Sequence, residues 1–206
     1  FAYYETPSVT SIFPYNGPET GNTRIKVLGS NFKDTKGLLC QFGRFSAATR
    51  GIFVNSRYIE CLSPSHNPGI VSLSISNNGM DFSPSTAEYE FYGRVFIYSI
   101  SPLQGTVAGG TTVKIRGSGF IFSSLLRCKF GDREVGASFI DSENIRCISP
   151  QHLNGSVILS VTNNAYNFES FENVFTFSLF ASRKYFKEVR TLFFPSLPII
   201  LITLST

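Results

Sequence analysis

One stretch decides the fold: GGTTVKIRGSGF at residues 109–120. It begins with a glycine turn, continues as a short alternating strand, and ends with a second glycine turn followed by an aromatic residue. In the strand, Val113 and Ile115 point to one side while Lys114 and Arg116 point to the other, because successive side chains of a β-strand alternate between its faces. The pattern therefore predicts a strand with one buried face and one solvated face.

The same pattern occurs 88 residues earlier, as GNTRIKVLGSNF at residues 21–32. The correspondence continues downstream, where Cys128 follows Cys40 at the same spacing of 88 residues. Cys147 follows Cys61 at a spacing of 86 residues, so the second copy has lost two residues between its cysteines. A register kept over this length identifies a tandem repeat, and the chain of 206 residues is expected to contain two domains.

The domain boundaries follow from this register. We predict the first domain over residues 7–93 and the second over residues 94–180, with the very short linker Gly93-Arg94 restricting their relative orientation. Tyr3-Tyr4 corresponds to Phe91-Tyr92, the aromatic pair that closes the first repeat. Residues 1–6 are therefore interpreted as the last strand of a preceding repeat, in a chain cut from a longer array.

Short strands separated by turn clusters characterise both copies, and no useful stretch before residue 181 shows a helical period. About seven short strands in each repeat predict an all-β fold, namely two tandem immunoglobulin-like β-sandwiches. The composition agrees, since 21 Phe and 9 Tyr residues suit pleated, half-buried surfaces. Within the first copy we further predict a strand over Phe45–Val54 and a tight hairpin at Asn77-Asn78-Gly79, because Asn and Gly tolerate positive φ.

The second copy carries a set of elements at characteristic spacings: Ile100-Ser101-Pro102, Gly109-Gly110-Thr111, Gly117-Ser118-Gly119-Phe120, Cys128-Lys129-Phe130-Gly131, Ile145-Arg146-Cys147, Pro150 and Val157–Val161. As a set they resemble the IPT/TIG domain, an immunoglobulin-like domain of the E-set type shared by plexins and certain transcription factors. The first copy departs from the pattern at Asn22, where the family usually has a second glycine. The resemblance covers about residues 7–177 and implies the fold. It implies little about function, because this fold serves in adhesion, receptor stalks, DNA contact and accessory modules of enzymes.

The four cysteines distinguish between branches of this family. In its extracellular members a pair at these places forms a disulfide within the domain, so the resemblance implies the bonds Cys40–Cys61 and Cys128–Cys147. A metal site would need close Cys-x-x-Cys pairs or nearby histidines, and four buried free thiols would not account for the paired recurrence. Because disulfides imply an oxidising compartment, we expect an extracellular or cell-surface location.

A single N-glycosylation sequon, Asn154-Gly155-Ser156, follows Pro150 and precedes the strand that begins near Val157. A predicted loop is a place where a glycan can be tolerated. Asn154 is therefore a candidate glycosylation site if the chain is secreted.

No catalytic, cofactor-binding or metal site is predicted. His66 and His152 are equivalent by repeat, and one exposed loop histidine per domain makes neither a metal site nor a catalytic triad. The glycine-rich segment Gly105–Thr112 lacks the lysine of a phosphate loop and leads into a strand instead of a helix. The net charge of +4 is mild and the basic residues are mostly scattered, which argues against nucleic acid as a partner.

The tail, residues 181–206, breaks the repeat. Its apolar run over residues 192–204 has 13 residues and contains two prolines, whereas a membrane-spanning helix needs about 20 residues. Its basic residues precede the run, contrary to the positive-inside rule for repeats outside the cell. We therefore expect membrane contact only through parts outside this segment. A truncated span, an extra strand that pairs with a neighbouring chain, and a misread gene end are the open alternatives.

Together these features predict a non-catalytic extracellular segment for spacing, adhesion or assembly, in a cell-surface or filament-forming protein. The expected partners are proteins: neighbouring repeats, further copies in a filament, or a cell-surface ligand. One alternative is an accessory or carbohydrate-binding module of a larger secreted enzyme, which would need an exposed planar row of aromatics drawn from Phe53, Tyr58, Tyr166 and Phe168. Another is a DNA-contacting Rel-type domain, which would have a basic loop patch and reduced thiols.

Overall fold

The computed structural model describes residues 5–44, 46–84 and 87–179, and all of their regular structure is β. Residues 1–4 of the strand predicted over residues 1–6 lie outside the described residues, as does the tail 181–206, and residues 5 and 6 are not in a strand. The first domain contains β1 (Ser8–Phe13), β2 (Asn16–Pro18), β3 (Arg24–Ser30), β4 (Leu39–Phe42), β5 (Thr49–Arg50), β6 (Ile52–Asn55), β7 (Tyr58–Leu62), β8 (Gly69–Ser76) and β9 (Ala87–Tyr92). The second contains β10 (Phe96–Ser101), β11 (Gln104–Thr106), β12 (Thr112–Ser118), β13 (Arg127–Phe130), β14 (Arg133–Asp141), β15 (Asn144–Ile148), β16 (Gly155–Thr162) and β17 (Glu169–Ser178).

The first domain is a sandwich of two sheets. One sheet has the strand order β1-β3-β7-β6, and the other has the order β2-β9-β8-β4-β5. β1 and β2 belong to different sheets because the chain turns between them at Pro14-Tyr15, where Pro14 has no N–H to donate to a ladder. The fold predicted from the sequence is confirmed, and this crossing is one reason why the strands outnumber the predicted seven.

The second domain repeats this arrangement with one difference, which lies in β14. The N-terminal half of β14 pairs with β13 and its C-terminal half pairs with β15, so the two sheets form one continuous eight-stranded sheet that folds over the core. In the first domain the corresponding segment is divided into β5 and β6 at Gly51. A Cβ at Gly51 would lie 2.8 Å from Cγ of Leu38. The single strand predicted over residues 45–54 is therefore two short strands, each in a different sheet.

The turn and strand that decide the fold behave as predicted. Val113 and Ile115 are buried in β12, and Lys114 and Arg116 are exposed. Gly109 precedes the strand with a φ of +80°, and a Cβ on it would lie 2.7 Å from the carbonyl carbon of Pro150. Glycine is thus required there both by the backbone conformation and by the close approach of a neighbouring segment.

The first copy satisfies the same turn with Gly21 and Asn22, whose φ angles are 76° and 62°. Asn is one of the few non-glycine residues that adopt this left-handed conformation readily. The departure from the glycine pair at Asn22 therefore leaves the turn intact.

Each core is crossed by one disulfide that joins the two layers of the sandwich. Cys40 on β4 is bonded to Cys61 on β7, and Cys128 on β13 is bonded to Cys147 on β15. The four cysteines are buried, and none in the described chain is free. These are the pairs that the family resemblance implies.

The predicted tight hairpin at residues 77–79 is wrong in form. β8 ends at Ser76 and β9 begins at Ala87, so the strands are joined by a longer loop. The reason is that Asn77 is buried: its Oδ1 accepts from the backbone N–H of Lys33 at 3.0 Å and its Nδ2 donates to the carbonyl of Asn31 at 2.8 Å. The loop is therefore fastened to a distant segment at Asn77, and it closes through the wider bridge between Ser76 and Phe82.

Replacing Cys128 and Cys147 together by Ala is expected to lower the free energy of unfolding of the second domain by about 3 kcal/mol. The bond spans a sequence separation of 19 residues, and its loss restores chain entropy to the unfolded state. Urea unfolding followed by circular dichroism measures the effect, with the transition of the first domain as the internal control. An unchanged second transition would mean that the bond does not stabilise the domain.

Candidate functional site at the domain interface

The residues singled out for chemistry do not assemble into a reactive centre. Within residues 5–44, 46–84 and 87–179, no group of three or more His, Cys, Asp or Glu side chains is placed to hold a metal ion. The same part of the chain has no helix with the length and hydropathy of a membrane span.

The two histidines have a structural place that the sequence reasoning missed. His66 stacks on Phe91 and His152 stacks on Phe177, with ring centroids 4.8 and 4.7 Å apart. Both rings are half-buried, whereas exposed loop histidines were expected. They cover the last strand of each domain at equivalent positions. The sequence signal for this shared placement was that a histidine follows the matched proline by two residues in both copies.

The four aromatics proposed for a sugar platform are dispersed. Phe53 packs against the core of the first domain, and Phe168 lies under the ammonium group of Lys129, 5.1 Å from the ring centroid. Tyr58 donates a hydrogen bond to Oε1 of Glu60 at 2.6 Å. Of the four rings only that of Tyr166 is exposed, so they do not form the row of three exposed rings that would favour the carbohydrate-binding alternative.

Tyr58 and Glu60 form a charged network on the outer face of the first domain. Nη1 of Arg24 lies 2.6 Å from Oε2 of Glu60. The hydrogen bonds from Tyr58 and then from Arg24 lower the pKa of Glu60. The hydrogen bond to Glu60, followed by burial, raises the pKa of Tyr58 to about 12. The carboxylate of Glu60 is thus kept ionised and paired with the guanidinium group of Arg24.

The structure brings together a set of residues that the sequence did not single out, at the boundary between the domains. Tyr92 ends β9 of the first domain, yet Tyr92 and Val95 are buried in the core of the second. The intervening backbone is also held, because the N–H of Arg94 donates to Oε1 of Glu19 at 3.2 Å and the N–H of Glu19 donates to the carbonyl of Tyr92 at 2.7 Å. The predicted linker is therefore part of the packed structure.

A loop of the second domain, residues 163–167, packs against the first domain. The contacts between this loop and the first domain are called the domain joint. Nδ2 of the fully buried Asn164 donates to the backbone carbonyl of Asn16 at 3.1 Å. Oγ1 of Thr23 donates to Oδ1 of Asn167 at 2.8 Å. Both bonds cross between the domains, and buried hydrogen bonds of this kind are costly to break because the freed groups remain away from water.

An aromatic contact borders the domain joint. The rings of Phe13 and Tyr166 meet edge to face, with centroids 5.9 Å apart and an interplanar angle of 73°. Such aromatic pairs contribute about 0.5–1.5 kcal/mol beyond the area they bury. The contact is directional, so it adds orientation as well as stability to the joint.

The loop of the joint is ordered from within by Asn164. Its Oδ1 accepts from the backbone N–H of Tyr166 and of Asn167, at 3.0 and 2.9 Å. Its Nδ2 also donates to Oδ1 of Asn167 at 2.9 Å. Because the loop holds its shape through its own bonds, little entropy is lost when it seats on the first domain.

The first domain contains the same loop, which pairs with Gly37 of its own domain through Asn78. Oδ1 of Asn78 accepts from the N–H of Met80 and of Asp81 at 3.0 and 2.9 Å, and its Nδ2 donates to Oδ2 of Asp81 at 2.8 Å. Met80, at the position of Tyr166, is 84% exposed. The internal geometry of the loop is therefore repeated, whereas its contact with another domain is not.

The candidate glycosylation site lies on the surface. Asn154 is exposed and immediately precedes β16. The hydroxyl of Ser156, which completes the sequon, lies 2.9 Å from Oγ1 of Thr176 on the adjacent strand. The asparagine therefore has the accessibility that attachment of a glycan requires.

Comparison with known proteins agrees with the fold of the two domains. The profile of the IPT/TIG domain matches residues 7–91 and 96–177, and the chain belongs to the IPT/TIG domain family. It is 32% identical over 156 residues to human Plexin-A3, covering 70% of this chain and 8% of that protein. It is 32% identical over 171 residues to mouse Fibrocystin-L, covering 80% of this chain and 4% of that protein.

A solved structure shows the same fold. The extracellular region of Plexin A4, domains 1 to 10, matches with a TM-score of 0.54 at 17% identity, covering 85% of this chain and 16% of that one. The chain thus spans a small part of the length of the relatives that it matches.

Asn167→Ala is expected to loosen the domain joint, because it removes the acceptor for Thr23. Residual dipolar couplings then require different alignment tensors for the two domains, whereas one tensor fits the unmodified chain. Asp81→Ala is the matched control, since Asp81 accepts the equivalent bond inside its loop from Asn78. Equal behaviour of the two variants would show that the interdomain bond has no role in orientation.

Expression in a mammalian secretory pathway is expected to place an N-linked glycan on Asn154, because the sequon is exposed. Mass spectrometry before and after peptide N-glycosidase treatment detects it. Asn154→Gln is expected to remove the mass difference. A secreted, unmodified Asn154 would refute the assignment.

Proposed function

We propose that this chain is a non-catalytic structural segment of a larger extracellular protein, in which it holds the flanking parts at a defined spacing and orientation. The observation that carries the proposal is the domain joint. A linker buried at Tyr92 and Val95 and two polar bonds across the boundary give the pair of domains a preferred orientation. Modules joined without such contacts reorient freely.

The extracellular setting is supported by the disulfides. Two buried bonds at equivalent positions suit an oxidising compartment, because cytosolic thiols are kept reduced. The same bonds disfavour the DNA-contacting alternative, which expected reduced thiols. The small share of Plexin-A3 and Fibrocystin-L that the chain covers supports a module within a longer protein.

Adhesion and assembly belong to the same proposal. Sandwich domains that fold separately and stack through a fixed joint suit both a receptor-like stalk and a filament subunit. The proposed partners are proteins, which include neighbouring repeats, because the domain joint is itself a contact between two such domains. A turnover activity of the purified chain that one substitution in these domains abolished would contradict the proposal.

Small-angle X-ray scattering tests the spacing role directly. The unmodified chain is expected to give a distance distribution that a single arrangement of the two domains reproduces. Insertion of Gly-Ser-Gly-Ser between Gly93 and Arg94 is expected to broaden the distribution, because it separates the two anchored ends of the linker. If the unmodified chain is already as broad as the insertion variant, the domains are flexibly tethered and the spacing role is lost.

A further inference from the structure

The outer face of the second domain carries an unusual concentration of positive charge, which we call the cationic face. It consists of Lys114 and Arg116 on β12 and Arg146 on the adjacent β15, all of them exposed. They border an open depression of ≈ 500 Å³. Ser99 and Ser101 of β10 supply hydroxyl groups along one side of it.

These three cations lack carboxylate partners within the part of the chain that the structure describes. Lys114 lies directly opposite Arg146 in the register of β12 and β15, and like charges placed opposite one another destabilise a sheet. One carboxylate, that of Asp141, lines the same depression, and it accepts from Nδ2 of Asn144 and from the N–H of Glu143, both at 2.8 Å. With three cations and one carboxylate along the depression, the face keeps an excess of positive charge.

The first domain does not have this arrangement. Lys26 corresponds to Lys114, but Leu28 stands where the second domain has Arg116, and Glu60 stands where it has Arg146. Glu60 is paired with Arg24 at 2.6 Å. The two copies share a backbone and differ in the charge of one face, so the cationic face is not a requirement of the fold.

The spacing of the charges indicates an extended, repeating anion as the ligand. Residues two apart on a strand lie about 7 Å apart, and neighbouring strands lie about 5 Å apart, so the cations form a small grid instead of a closed pocket. The depression is lined by Lys, Arg, Ser, Ile, Asp and Asn side chains without an aromatic. Protein partners are usually anchored by aromatics at an interface, and a sulfated polysaccharide needs only charges and hydroxyl donors.

We propose that the cationic face formed by Lys114, Arg116 and Arg146 binds sulfated glycosaminoglycan chains. The polysaccharide supplies sulfate groups at regular intervals, the face supplies cations on two strands, and binding relieves the repulsion between Lys114 and Arg146. The choice of this polyanion over nucleic acid rests on the extracellular setting in the proposed function. The spacing role does not depend on it, since the cationic face shares no residue with the domain joint.

The test uses the full chain and a size-defined heparin oligosaccharide, with affinity measured by isothermal titration calorimetry at several salt concentrations. Arg146→Glu introduces the residue that the first domain has at this position. We expect it to weaken binding roughly tenfold or more and to make the affinity less dependent on salt, because fewer ion contacts are released. The Arg146→Glu variant is expected to unfold its second domain at no lower urea concentration than the unmodified chain, since Lys114 then faces a carboxylate.

Lys26→Glu is the control, because it changes the net charge of the chain by the same amount on β3 of the first domain, the counterpart of the strand that carries Lys114. It is expected to change the affinity much less than Arg146→Glu. The reciprocal change Glu60→Arg is expected to strengthen binding, because it adds a third cation beside Arg24 and Lys26.

Three outcomes would overturn the proposal. If Arg146→Glu and Lys26→Glu weaken binding equally, the attraction belongs to the net charge of the chain and not to this face. If the unmodified chain fails to bind the oligosaccharide at physiological salt, the face does not recognise this class of ligand. If a polyglutamate peptide binds more tightly than the oligosaccharide, an acidic protein is the partner. None of these results alters the scattering test of the spacing role.

Discussion

The packing of two sheets across one buried disulfide is the constraint on which each domain depends. β4 and β7 lie in different layers of the first domain, and the bond between Cys40 and Cys61 fixes where they face each other. The second domain repeats the arrangement through Cys128 and Cys147. The bond sits among fully buried apolar side chains and links the two layers through the core. The loops and the outer faces can then vary between copies without moving the core.

The contacts of the domain joint depend on the rigidity of the two sandwiches. Asn164 and Asn167 hold a loop in shape at the end of β16, and the loop presents an amide and a carbonyl to the first domain. Rigid sandwiches on both sides give these bonds fixed positions, since a buried amide left without its partner would cost free energy. The joint thus holds the two domains in one relative orientation, as the proposed spacing role requires.

Comparison of the two copies shows which parts of the domain are free to acquire function. The turn that starts with Gly109 and its counterpart at Gly21 keep the same conformation, because backbone from another segment approaches closely at both places. The outer face of the central strands changes from a paired network around Glu60 to an unpaired group around Arg146. Side chains on that face contact solvent, so their charge alters binding and leaves the packing of the core unchanged.

The alternation of Val113, Lys114, Ile115 and Arg116 was enough, together with the repeat, to predict two β-sandwiches and their all-β class, because strand periodicity and turn glycines are local properties. The cysteine pairing followed from the family resemblance. The division at Gly51, the loop held by Asn77 and the stacking of His66 on Phe91 were not predictable, since each depends on a segment distant in the chain. The domain joint belongs to the same class: Asn164 and Asn16 are 148 residues apart. An asparagine at a turn has the same local pattern whether it faces water or another domain. Only the tertiary structure, which determines what lies opposite each side chain, decides between the two.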